Sequence, residues 1–318
     1  MKKRTLGNTN LLVSEIAFGG VEIGMPYGLG VSSESDMLPE SAAIRLLHAT
    51  LDRGINFIDT ARMYGNSEQL IGKAFKDRRS DIVLSTKCVH LRDKNGGLPC
   101  ASAIGNVIER SFTDSLTMLQ THYVDIFMLH QVDQSILGND DVANAFIRLK
   151  QEGKIRATGA STYSVEDTKR AIESGIWDVI QLPFNLMDQR QGELFGEAHR
   201  KGVGIVVRSV LLKGLLSSRG KNLHPALINV EKHIESYNEL VNETGFSLPS
   251  LATKFALSFP EVSSVLVGID KMEYLQQALD AGNGVYLTDT QLECARRLSY
   301  PDPGFLNLPY WDKMNWLK

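Results

Sequence analysis

Cysteine is scarce in this 318-residue chain, and Cys88, Cys100 and Cys294 include neither a Cys-x-x-Cys pair nor metal-finger spacing. A disulfide framework is excluded on that ground, and the cytoplasm is the expected compartment. Long apolar runs are missing too, since none reaches the roughly 18 residues that a membrane span needs. No charge of one sign dominates: 34 Lys and Arg face 37 Asp and Glu, for a formal net charge of -3. That balance gives no footprint for nucleic acid. The basic opening MKKR runs into TLGNTN instead of an apolar core, so it does not read as a secretory signal. Three further signatures are absent. GLGVSS at 28–33 stops two glycines into a Gly-x-Gly-x-x-Gly fingerprint, no Walker-A loop occurs, and Tyr-x-x-x-Lys is found nowhere.

What the chain does have is a rhythm. Eight short β-rich runs, at 15–20, 55–59, 81–87, 124–130, 155–161, 179–184, 204–209 and 263–268, alternate with helical patterns such as 40–54, 102–120 and 164–175. Gly54, Gly153, Gly175 and Gly202 stand where helices in such a pattern would end. No composition break divides the series. It predicts one (β/α)₈ TIM barrel over 1–318, a single domain with an N-terminal hairpin around GNTN and an added C-terminal helix. A doubly wound sheet with a second domain is the rival, and it needs a linker that the sequence does not contain. An extra helix is expected over 226–243 and the seventh barrel helix from Leu248. The aromatic tail, with Tyr310, Trp311 and Trp316, is expected to pack on the body.

The strand ends carry the chemistry. Asp59 closes the second run, Lys87 the third and His130 the fourth, with Tyr64 on the loop that follows Asp59. A carboxylate at the end of a buried strand requires a cation, and in a parallel barrel the neighbouring strand end supplies Lys87. A tyrosine beside that ammonium is expected to have its pKa lowered and to exchange a proton, with His130 holding a carbonyl oxygen. Ser67 and Glu68 read as a helix start, Ser67 as cap and Glu68 favouring the dipole. Two alternatives stay open: a redox sensor that binds a cofactor without turning over, and a barrel in which Lys87 forms a Schiff base.

The pieces GINFIDTARMYGNSE, LSTK, VDIFMLH, GKIRATGAS, IQLPFN and GLL make the chain resemble the aldo-keto reductases over nearly its whole length. The resemblance implies a catalytic tetrad of Asp59, Tyr64, Lys87 and His130, and a nicotinamide cofactor lying across the barrel mouth. It implies that Ser161 and Gln181 hold the nicotinamide carboxamide, that Arg208 stacks where the family often has an aromatic residue, and that Ser209, Leu211 and Gly214 meet the pyrophosphate. Thr162 stands where the family usually has Asn. In the segment gripping the adenosine end, Gly268 and Tyr274 replace the Lys and Arg of members that prefer the 2′-phosphate, and Lys271 is the cation left to compensate. The family favours NADP(H), and these departures leave NAD(H) open. The implied substrate is a small carbonyl or sugar-like compound, with Tyr27 and His90 as its expected contacts. Arg62, Arg92 and Lys94 either favour an anionic substrate or are solvated surface charge.

Overall fold

A computed structural model describes residues 1–31 and 33–317 of the protein. Eight strands run in parallel: β3 (Ile16–Gly19), β4 (Phe57–Asp59), β5 (Val83–Lys87), β6 (Val124–Leu129), β7 (Ile155–Ser161), β8 (Val179–Pro183), β9 (Gly204–Arg208) and β10 (Val262–Gly268). They pair in sequence order, and β10 bonds back to β3 to close a barrel. The closed ring rules out the doubly wound sheet. Before it, β1 (Lys3–Thr5) and β2 (Leu12–Ser14) form the expected antiparallel hairpin.

Side-chain parity along the strands positions everything that follows. Ala17, Phe57, Val83, Ile126, Ala157, Val179 and Val206 form one buried cluster inside the barrel, with Leu6, Leu11 and Val13 of the hairpin packed among them. Their neighbours Phe18, Ile58, Leu84, Phe127, Ile180 and Val207 face outward, into the layer shared with the helices. Successive strand residues alternate faces, so counting on in twos from the inner set reaches Asp59, Lys87, His130, Ser161, Gln181 and Arg208. Six of the inner columns thus begin apolar at the hairpin end and finish polar at the C-terminal mouth, while those of β3 and β10 finish on Gly19 and Gly268.

The helix Val165–Ser174 shows how local signals set the outer layer. Ser164 caps it by accepting from the Asp167 N–H, Thr168, Ala171 and Ile172 form its buried stripe, and it stops at Gly175, where φ is 68°. Two expectations need correction. The extra helix over 226–243 is two helices, Ile228–Glu235 and Asn238–Thr244, broken beside Tyr237. Tyr237 is fully buried, its hydroxyl 3.0 Å from the Leu186 carbonyl and 2.7 Å from that of Leu298. At the C-terminus one added helix was expected and two occur, Asp289–Arg297 and Leu308–Lys313. The second is pinned by Trp311, which is wholly buried, while Tyr310 is exposed. The tail's last residue, Lys318, lies outside the described residues. Among those described, no helix is long and apolar enough to cross a membrane.

Candidate active site

Asp59 and Lys87 end adjacent strands on the inward parity. Lys87 Nζ donates to Asp59 Oδ2 at 2.5 Å and to the Thr60 carbonyl at 2.9 Å. The other Asp59 oxygen accepts from Gln181 Nε2, from β8 on the opposite wall, at 3.0 Å. Lys87 has no exposed surface at all. An ion pair this deep persists only when its remaining hydrogen bonds are made, as they are here. A lysine so enclosed and doubly bonded is not presented to a carbonyl, which removes the Schiff-base alternative.

Tyr64 stands on the loop between β4 and the helix Ser67–Phe75. The Lys87 ammonium lies 4.9 Å from its ring centroid, and the His130 ring meets it edge-on at 5.3 Å. The loop itself is clamped. Gly24 lies so close that a Cβ there would fall 2.0 Å from the Tyr64 carbonyl oxygen. Glu68 is buried and does more than favour a helix dipole: it accepts from Thr86 Oγ1 at 2.7 Å and pairs with Arg62 at 2.8 Å. It thereby ties the residue before Lys87 to the loop that carries Tyr64. Ser67 is the first helical residue, not the cap; Asn66 is the N-cap, and the Ser67 hydroxyl accepts from Thr60 Oγ1 at 2.8 Å.

The electrostatics differ from the sequence expectation for Tyr64. Burial, and after it the Asp59 charge, push its hydroxyl above the ordinary phenol value, with Arg208 opposing. Lys87 is not the opposing cation, since its ammonium is given to Asp59 and the Thr60 carbonyl. Burial also pushes Lys87 below its usual value, against the pull of Asp59. His130 is driven down to about 2 by burial and by the charges of Lys87, His90 and Arg208, so its imidazole is neutral. Its Nδ1 is buried with no hydrogen-bond partner among the described residues.

Asp59, Tyr64 and His130 form the floor of a cleft of about 840 Å³. Of the residues singled out in the sequence, Tyr27, Ser161, Gln181, Arg208, Ser209 and Leu211 line it, as do Gly214, Gly268 and Tyr274. Ser209 and Gly214 take left-handed backbone, at φ 58° and 99°. Two are not brought there. His90 is exposed and packs behind His130, ring centroids 4.9 Å apart, and Lys271 stands outside with its ammonium 5.6 Å from the Tyr274 ring. Arg62 is taken by Glu68, Arg92 is taken by Asp133, and Lys94 does not reach the cleft.

Among the lining residues that sequence reasoning passed over are Tyr163, Arg219, Lys213 and Glu22. Tyr163 stacks under the Arg208 guanidinium at 4.2 Å, while that guanidinium also donates to the Thr162 carbonyl at 2.9 Å. Arg219 donates to the Tyr274 hydroxyl at 3.2 Å and to the Leu29 carbonyl at 2.9 Å, which puts a cation where Lys271 was expected. Lys213 pairs with Asp312 of the tail helix and lies over the Tyr27 ring. Glu22, just past β3, rests on Gly268 of β10. An acid three residues after a strand end was the available signal for Glu22; the folding of the loop after β9 gave none for Arg219. Among the described residues no group of three His, Cys, Asp or Glu could hold a metal ion.

Comparison with known proteins bears on this geometry. A model of the Aldo/keto reductase family matches residues 15–298. An uncharacterised oxidoreductase of Bacillus subtilis is 28% identical, covering 92% of this chain and 95% of its own. The L-galactose dehydrogenase of Arabidopsis thaliana is 29% identical, with 87% of each covered. The NADH-specific methylglyoxal reductase of Escherichia coli is 26% identical, covering 94% of this chain and 98% of its own. Among solved structures, the holo form of an aldo-keto reductase from Bacillus halodurans superposes with a TM-score of 0.78 at 30% identity, covering 94% of this chain and 96% of that one.

Proposed function

The chain belongs to the aldo/keto reductase family, and from that premise we propose that it moves a hydride between a nicotinamide dinucleotide and a small carbonyl or alcohol, with Tyr64 as the general acid in reduction and the base in oxidation. One observation carries the reading: Tyr64 and His130 converge at the floor of a large cleft, directly above a sealed Lys87–Asp59 pair.

The cleft suits such a cofactor. Arg208, Lys213, Arg219 and Lys221 supply positive charge for a pyrophosphate. Arg208 Nε and Glu22 Oε2 are a buried donor and a buried acceptor without partners among the described residues. Ser161 and Gln181 reach the cleft beside Asp59, where a carboxamide requires both kinds of group. When bound, the reduced nicotinamide supplies the hydride.

The chain's own residues handle the proton. Tyr64, kept protonated by burial, gives its hydroxyl hydrogen to the carbonyl oxygen as negative charge develops there. The neutral His130 offers an N–H to the same oxygen without adding charge of its own. Lys87 and Asp59 fix the floor on which Tyr64 stands, and the Asp59 charge helps keep the tyrosine protonated. Arg62 and Arg92 are already matched to carboxylates, which favours an uncharged aldehyde, ketone or sugar-like carbonyl compound over an anionic one. Turnover of a panel of aldehydes, ketones and sugars with NADH and NADPH tests the reading. Tyr64→Phe should bind nucleotide as wild type does and lose about 10²–10⁴-fold in rate. A Tyr64→Phe protein within about threefold of wild type on an established substrate overturns the role given to Tyr64.

A further inference from the structure

The carboxyl of Glu22 occupies an unusual place. It leaves the turn after β3 and lies on the backbone of Gly268, at the end of β10, where a Cβ would stand 2.1 Å from Oε1. Its Oε2 is sealed from solvent and has no hydrogen-bond partner among the described residues, although the side chain lines the cleft. A buried carboxyl oxygen without a partner costs stability, and the fold carries that cost at a side chain whose remainder lines the cleft.

The charges around it have one sign. Burial raises its affinity for a proton most, a hydrogen bond from its own backbone N–H opposes, and Asp270, from the turn after β10, and Asp59, from β4, raise it further, to about 8. Tyr27, from its own loop, and Tyr64, from the loop after β4, also feel its charge. Glu273 lines the same cleft, while the cations Arg208, Lys213, Arg219 and Lys221 come from the end of β9 and the loop after it. The cleft therefore has a cationic wall fit for phosphate and an acidic wall fit for hydroxyls.

We propose that Glu22 is a specificity-determining residue of the dinucleotide site, taking hydrogen bonds from ribose hydroxyls and selecting the dinucleotide without the additional phosphate, NAD(H) over NADP(H). The inference rests on the cofactor reading given above. A carboxyl accepts from a ribose diol in either protonation state. The ionised form repels a phosphate dianion far more than a hydroxyl, and more strongly in a cleft than in water. Gly268 belongs to the same device, since any side chain there would displace the Glu22 carboxyl.

The sign of the pH effect follows. Below the Glu22 value the carboxyl is neutral and tolerates phosphate; above it the carboxylate rejects phosphate. The 2′-phosphate, with a second pKa of about 6, is already a dianion in this range and does not confuse the reading.

Dissociation constants for NADH and NADPH, taken from quenching of tryptophan fluorescence on wild type and Glu22→Gln, test the proposal. In wild type the ratio of the NADPH constant to the NADH constant should rise at least about tenfold between about pH 7 and about pH 9. In Glu22→Gln the ratio should stay level, with NADPH bound more tightly than by wild type at the upper end. Lys87, whose value is also lowered, would affect both proteins equally. Gly268→Ala, which moves the carboxyl without removing it, should flatten the ratio as well. A level ratio in wild type, or an equal rise in Glu22→Gln, overturns the role of Glu22 while tight binding of both nucleotides leaves the cofactor reading standing. Failure of both nucleotides to bind overturns both.

Discussion

The ammonium of Lys87 stands 4.9 Å from the centre of the Tyr64 ring, and its hydrogen bonds go to Asp59 and to the Thr60 carbonyl. Lys87→Met leaves the Asp59 charge buried and unmatched, which should cost about 3–5 kcal/mol in urea unfolding. The unmatched charge should also hold the Tyr64 proton more tightly, so the pH at which oxidation gains its tyrosinate should move upward. Adding Asp59→Asn should restore most of the stability and none of the rate. An unchanged pH profile of oxidation in an active Lys87→Met protein would show that Lys87 does not act on the Tyr64 proton.

Gly24→Ala should reach the same tyrosine from the opposite side. The new Cβ would fall 2.0 Å from the Tyr64 carbonyl oxygen and 2.6 Å from Ser67 Cβ, and backbone cannot rotate aside as a side chain can. Overpacking of this kind costs about 1–3 kcal/mol. Turnover should fall while nucleotide affinity stays near wild type, because the displaced loop carries Tyr64 and not the cationic wall. Unchanged turnover in a folded Gly24→Ala protein would show that the loop's position is not tightly specified.

Arg219 and Lys271 offer a direct contrast. Arg219 lines the cleft and holds the Tyr274 hydroxyl, whereas Lys271 stands outside it. A charge-assisted hydrogen bond contributes about 1.5–3 kcal/mol. Arg219→Ala should therefore weaken NADPH by about tenfold or more, and NADH by less, while Lys271→Ala alters neither. The reverse result in fluorescence titration would return Lys271 to the phosphate.

Trp311→Ala removes the anchor of the tail helix, and loss of so large a buried side chain costs about 3–5 kcal/mol where its surroundings unfold with it. Calorimetry should show the whole transition shifted down. A main transition left in place, preceded by a small one, would mean that the tail melts alone and that the Asp312–Lys213 pair can open without disturbing the barrel.

The barrel was legible because its strands are short, β-rich and separated by helical periodicity, and because inward parity fixes which strand-end residues meet. Asp59, Lys87, His130, Ser161, Gln181 and Arg208 are all reached by that counting. What parity cannot reach lies on loops. Arg219 arrives through a segment with left-handed residues at Leu212 and Lys213, whose course no periodicity encodes. His90 sits only three residues beyond Lys87, yet the chain has already turned outward there. The direction of the Tyr64 shift was missed for a different reason. A lysine was considered as a lone charge, whereas burial and the Asp59 carboxylate beside that lysine raise the Tyr64 value.

Gly19 of β3 and Gly268 of β10 lie opposite each other in the register that closes the ring. Synthesis delivers those two strands at nearly opposite ends of its schedule. A growing chain can pair β4, β5 and β6 in the order they emerge, and with them bring Asp59, Lys87 and His130 together early. Glu22 is among the first residues made and must wait for the last strand before it has a surface to rest on. The Asp59–Lys87 floor and the wall around Glu22 are therefore assembled from distant parts of the chain, and neither is complete until Gln181 of β8 and Gly268 of β10 have been made.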